Sequence, residues 1–200
     1  MGWIDVSSIN TIMSVVGILI AMVSLINQYY IPDKLYLKLN PSNNNCEDAP
    51  IIIHNGQQMT VGPTARFFHV EVINKHNKKP AKNCKVYLVS LMEEGENKEL
   101  LYQNQMLQLK WKGYPFPMIM IDIPPNSAQK FDAFYVIHNE PDRLLLNAFV
   151  DFTKLIPNVK GNKKLRVKYR VTADNFKAKE KEFIITLSNQ LSNVKIEAAN

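Results

Sequence analysis

The chain has 200 residues, 46% of them hydrophobic, with a formal net charge of +6 and a pI of 9.2. Two cysteines allow a single disulfide at most, and seven glycines, none clustered, leave no loop whose backbone amides could cradle a phosphate. All 24 basic residues and all but two of the 18 acidic ones fall in residues 34–200, a length that suits one domain with a real core.

No charged side chain occurs between Asp5 and Asp33, and residues 9–26 are apolar almost throughout. Trp3 and the pair Tyr29 and Tyr30 bracket the stretch, about 26 residues apart, which as a helix is about 39 Å, close to a bilayer with its interfaces. A cleaved secretory signal would need a basic flank, a shorter core and a small-x-small site; no Lys or Arg precedes the stretch, its core is too long, and Ser24, Leu25 and Ile26 put a bulky residue where a small one is required. The stretch is apolar on all faces, unlike a soluble core helix with one apolar stripe. A transmembrane helix at 9–31 is therefore expected, after a short tail at 1–8. Gly17 and Ala21 make one small-xxx-small pair through which two helices could associate. Lys34 and Lys38 follow the span and nothing basic but the terminal amine precedes it, so the N-terminus is expected outside and the domain in the cytoplasm. Reduced thiols agree with that side, with Cys84 a buried apolar residue and Cys46 in a polar loop, although one disulfide stays open. The sequon-like Asn40, Pro41, Ser42 is vetoed by its proline.

After this, residues 32–65 read as a juxtamembrane strand and an Asn-rich loop at 43–45, and 66–188 as the body of the domain, where the periodicity is two. Phe68, Val70 and Val72 alternate with polar neighbours, as do Cys84, Val86 and Leu88. Further strands carry Ile119, Ile121 and Ile123; Phe131, Ala133, Tyr135 and Ile137; the run 144–150; Leu165, Val167, Tyr169 and Val171; and Phe183, Ile185 and Leu187. Pro80, Pro115, Pro117, Pro124, Pro125, Pro141 and Pro157 punctuate them. A short helix is expected at 150–156 and a tail at 189–200. The fold class is all-β, an antiparallel sandwich behind one N-terminal transmembrane helix.

The segment from Phe68 to Asn74, a polar loop, and then Pro80, Ala81, Asn83 and Cys84 to Leu88 resembles the opening of immunoglobulin-like β-sandwich modules of the adhesion-related and arrestin-like kind. Ile123 to Phe131 is similar to their proline turn and following strand, with Asn126 where glycine is usual, and Leu165 to Val171 looks like their late strand. The chain also resembles small bacterial membrane proteins with one N-terminal span and such a domain. The resemblance covers residues 66–187 and implies a binding or scaffolding role.

Catalytic chemistry leaves no local trace. His54, His69, His76 and His138 are scattered without metal-ligand spacing, there is no Gly-x-Ser-x-Gly, and Cys84 sits on an apolar strand face. Asp122, Asp132 and Asp151 read as turn formers or solvated strand ends rather than paired acids. No metal or cofactor is expected.

Two surfaces stand out. Lys164, Arg166, Lys168 and Arg170 share one face of a strand, Lys177, Lys179 and Lys181 follow, and Lys75, Lys78, Lys79 and Lys82 form a second cluster; such cations suit phosphates of nucleic acid or anionic lipid headgroups. Against this, a hairpin of 163–172 with 179–187 sets Arg170 opposite Glu180 and Lys168 opposite Glu182, which makes an ordinary solvated face. Trp111, Tyr114 and Phe116 crowd among prolines and read either as contacts for a protein partner or, at Trp111, as a plug of the core. The expected function is a membrane-anchored, non-enzymatic interaction module with an unknown protein partner; an electrostatic binder of nucleic acid or anionic lipid is the alternative, and a hydrolase with a scattered site the lesser one.

Overall fold

The structure, a computed structural model, describes residues 13–22, 37–55, 58–95, 100–102, 106–114, 119–148 and 159–199. Residues 13–22 are helical and every one of them is exposed, Ile18 and Ile20 at 59% and 65%. They belong to a compact unit, Met1–Lys34, separate from a second unit, Leu35–Asn200. Among the described residues no helix is long and apolar enough to cross a membrane. At ~1.5 Å per residue the described helix covers about 15 Å, half of a ~30 Å hydrocarbon layer. The remainder of the expected 9–31 span lies outside the described residues, as does the expected helix at 150–156.

The second unit is built from strands β1 (Leu37–Asn55), β2 (Gln58–Asn74), β3 (Ala81–Glu93), β4 (Leu100–Tyr102), β5 (Leu107–Gln108), β6 (Ile121–Ile123), β7 (Ser127–Ile137), β8 (Glu140–Leu145), β9 (Lys164–Ala173), β10 (Phe176–Thr186) and β11 (Lys195–Ala198). One sheet has the order β1-β2-β7-β8; the other runs β11-β10-β9-β3-β4, with β5 and β6 also pairing β3. Every pairing is antiparallel. Two sheets sharing one apolar core are compatible with a β-sandwich. The core joins them through aromatics: Phe131 of β7 meets Tyr169 of β9 edge-on at 5.3 Å, and the Tyr169 hydroxyl donates to the Ala133 carbonyl at 3.1 Å. Burial pushes the Tyr169 phenol far above its ordinary range, so it stays a neutral donor.

Several local features depart from the sequence pattern for identifiable reasons. The expected face Phe131, Ala133, Tyr135, Ile137 holds only as far as Ala133. A bulge between the pairs Phe68 with Phe134 and His69 with Asp132 adds one residue, so Phe134 and Val136 face inward while Tyr135 and Ile137 are half-buried. Pro141, which reads as a breaker, lies within β8, and Pro41 and Pro50 lie within β1. Both strands are edges, and Pro41 and Pro50 sit beside register shifts, where a missing N–H breaks no ladder. The Asn-rich stretch 43–45 falls in the shift between Pro41 and Cys46. Residues 189–200, set apart above as a tail, carry a 3-10 turn at Leu191–Asn193 and β11, which buries Ile196. Asn126 takes a left-handed φ of +51° in the β6–β7 turn, a conformation asparagine tolerates better than branched residues.

Replacing Phe131 with alanine opens a cavity between Trp111 and Tyr169 and is expected to cost about 3–5 kcal/mol. Tyr169→Phe, which removes only the bond to Ala133, is expected to cost about 1 kcal/mol. Urea unfolding of the three proteins measures both.

Candidate functional site

The strand face that reads as a ladder of cations is neutralised where the sheet forms. Glu180 pairs with Arg170 and Glu182 with Lys168 in register, and the charges meet: Arg170 Nε to Glu180 Oε1 at 2.7 Å and Lys168 Nζ to Glu182 Oε1 at 2.9 Å. Arg166 donates to Glu94 from Nε and Nη2 at 2.9 and 2.6 Å and to Glu182 from Nη1 at 3.2 Å. These bonds, those to Glu94 foremost, raise the guanidinium above its ordinary value; the bond from Lys168, ahead of that from Arg166, holds the Glu182 carboxyl below its own. Of the ladder, Lys164 alone takes no salt bridge among the described residues. Glu94 carries no local signal, because its guanidinium partner lies 72 residues away.

The aromatic loop is corrected at Trp111, which is 2% exposed and stands edge-on to Phe131 at 6.3 Å. Residues 107–112 run as one extended segment that leaves β3, with Leu109 N bonded to Val86 O at 2.9 Å, and reaches β7, with Lys112 N bonded to Lys130 O at 2.9 Å. Along it Leu107, Leu109 and Trp111 are buried while Gln108, Lys110 and Lys112 are not, an alternation legible in the sequence. Trp111 is therefore a core residue and no partner contact. Tyr114 is half-buried against the core, and Phe116 lies outside the described residues.

Two lysine clusters far apart in sequence come together at one end of the β unit. Asn175, in the β9–β10 turn, accepts from Lys82 N at 2.9 Å and donates to Pro80 O at 2.8 Å; Asp174 N donates to Lys82 O at 3.0 Å. The rings of His76 and Phe176 lie 6.0 Å apart. The β2–β3 loop is held from within: Asn74, 1% exposed, donates to Lys79 O at 2.9 Å and Ile123 O at 3.0 Å and accepts from His76 N at 3.0 Å. His76 Nδ1 accepts from Lys78 N and Lys79 N at 3.0 and 2.9 Å. Lys75, Lys78, Lys79, Lys82, Lys177 and Lys179 are all exposed there.

Other polar groups gather elsewhere in the β unit, some buried and some exposed. His69 is 3% exposed rather than a surface residue, its Nδ1 3.0 Å from Asp132 Oδ1 without hydrogen-bond alignment, so that neither ring nitrogen has a partner among the described residues. Asp132 is buried mid-strand rather than at a solvated end and accepts from Asn147 Nδ2 at 2.7 Å. Asp48 takes both Arg66 Nε and Nη2, at 2.7 and 2.8 Å, with His138 Nε2 3.1 Å away. Arg66 and Cys46 border a cavity of 220 Å³ with Phe68, Leu191, Val194 and Lys195. Cys46 and Cys84 form no disulfide. No group of three His, Cys or carboxylate side chains converges among the described residues.

Burial, with Asp122 nearby, pushes the Cys84 thiol up to about 12, whereas Cys46 is exposed. The native protein is expected to react through one thiol with Ellman's reagent at pH 8, and through two after unfolding. The Arg66 guanidinium, ahead of His138, holds the Asp48 carboxyl at about 2, below its ordinary 3.8. A depressed carboxyl stabilises the fold fully above pH 3.8, and that stabilisation is lost as pH falls toward about 2. Asp48→Asn should flatten the urea midpoint against pH in that window and leave its other slopes alone.

Compared with protein-family models and with curated proteins, the chain matches none, so its function is read from its own residues.

Proposed function

We propose that this protein is a single-pass membrane protein whose immunoglobulin-like sandwich is a non-enzymatic interaction module held at the cytoplasmic face. The observation that carries the proposal is the helix at 13–22, whose ten residues are all exposed although seven of them are large hydrophobics. Met13, Val15, Val16, Ile18, Leu19, Ile20 and Met22 stand between 45% and 70% exposed. A side chain of this size is stabilised by about 1.5–3 kcal/mol on leaving water, so a helix with no covered face calls for an apolar medium outside the chain. Charge-free sequence continues on both sides as far as Asp5 and Asp33, which gives 9–31 the length of a span. Lys34 and Lys38 set the orientation by resisting translocation. The immunoglobulin-like kind rests on the resemblance of residues 66–187, with Asn126 taking a left-handed φ of +51° where that pattern has glycine.

The reading is tested by fractionation of cells producing the full chain with a C-terminal tag. Wild type is expected in the membrane pellet after alkaline carbonate and in the supernatant after detergent. Replacing Val16 and Ile20 with arginine, at about 2.5–3.5 kcal/mol each at a span centre, should release it. Protease added to intact cells should leave the tag in place and remove it only after lysis. Wild type in the carbonate supernatant overturns the anchor, and loss of the tag from intact cells overturns the orientation.

A further inference from the structure

We infer that the end of the sandwich formed by the β2–β3 loop and the β9–β10 turn is a binding surface for anionic lipid headgroups, and that the cation ladder on β9 is not. This rests on the membrane-anchored reading above and adds a second, electrostatic contact to it.

Three observations converge. Lysines from segments nearly a hundred residues apart are gathered by the Asn175 clamp into one patch, with Lys75, Lys78, Lys79, Lys82, Lys177 and Lys179 exposed. Five of them, all but Lys79, take no salt bridge among the described residues, in contrast to Arg166, Lys168 and Arg170, each of which meets a glutamate. The carboxylates Asp122 and Asp174 at this end are held by a neutral residue rather than by a lysine: Asp122 Oδ1 accepts from Asn83 N at 2.8 Å and Asp174 Oδ2 from Asn83 Nδ2, Asn83 standing at a left-handed φ of +51°. The patch thus keeps a surplus of exposed ammonium groups over carboxylates on a hydrogen-bonded frame.

The point at which the chain enters the β unit chooses the partner. β1 begins at Leu37, whose register partner is Asn74, so the chain joins the β unit beside Lys75, one residue from the lysine loop. Only residues 23–36 separate Leu37 from the described apolar helix, and Lys34 and Lys38 add charge in sequence at the same junction. An anchor attached at this end keeps it within a short tether of the bilayer, and the cytoplasmic leaflet is the anionic one. Polynucleotide would meet the same ammonium groups, but the described patch offers no interleaved exposed aromatics on which bases could stack, Phe176 being buried.

The test is amine-reactive footprinting of the full chain in nanodiscs, read by mass spectrometry lysine by lysine. Discs of phosphatidylcholine alone are compared with discs containing phosphatidylserine. In anionic discs Lys75, Lys78, Lys82, Lys177 and Lys179 are expected to react roughly fivefold more slowly or less still, as one headgroup-bound cation is worth about that factor. Lys164 and Lys195 should be unchanged, and 0.5 M salt should abolish the difference. The combined variant Lys78→Glu, Lys82→Glu, Lys177→Glu, all at exposed positions, should lose the difference while keeping its melting temperature. Equal labelling in both discs overturns the inference, as does protection by added polynucleotide with none by phosphatidylserine. Failure of the chain to enter discs overturns the anchor instead. The same footprint with phosphatidylserine vesicles added to the unanchored chain then decides the patch alone.

Discussion

The end of the β unit that displays the lysine patch depends on the buried side-chain amide of Asn74. Its nitrogen donates to carbonyls of the β2–β3 loop, of the end of β6 and of the β6–β7 turn, and its oxygen takes the His76 N–H. A buried amide of this kind stays in place because every alternative leaves backbone groups unpaired away from water, at about 1–3 kcal/mol for each. Asn175 repeats the device from the other sheet, bonding Pro80 and Lys82 as though it were a further strand residue. Together the two asparagines turn three chain reversals into one platform, and the lysines are what the platform displays.

Charge alone would have chosen a different surface. The β9 face has the denser run of cations in sequence, yet it is an outer sheet face, and an antiparallel neighbour in register brings glutamates within reach of Arg166, Lys168 and Arg170, while Lys164 faces Thr186. Exposed pairs of this kind contribute little to stability, about 0–1 kcal/mol, but they cancel the field that a distant phosphate would feel. Lys75 and Lys78 lie in the β2–β3 loop, and Lys82, Lys177 and Lys179 at the strand ends that flank the β9–β10 turn; among the described residues none of the five takes a salt bridge. The physical difference between the two patches is therefore position, the middle of a paired strand against strand ends and a loop, rather than composition.

Much of the fold was legible. Alternation located β3, β9 and β10, and the pairing of Arg170 with Glu180 and Lys168 with Glu182 follows from aligning two apolar faces. Trp111 could have been assigned to the core on the same grounds, since Leu107 and Leu109 share its parity; the neighbouring prolines drew attention to a loop instead. The bulge at Ala133 was not legible, because one added residue changes the face of everything after it and leaves no mark on composition. The burial of His69 and Asp132 was hidden likewise, each having a polar side chain whose shelter comes from other segments.

By itself, the sequence determined an apolar, charge-free N-terminal stretch, an all-β body behind it, and an excess of lysine in that body. Those are one-dimensional properties, set by periodicity and composition. Which lysines stay unneutralised, and that two clusters form a single surface beside the first residue of β1, was decided only by the tertiary structure. The reason is that charge cancellation and charge clustering act over a few ångströms of space, and antiparallel pairing brings together residues that the chain itself keeps nearly a hundred positions apart.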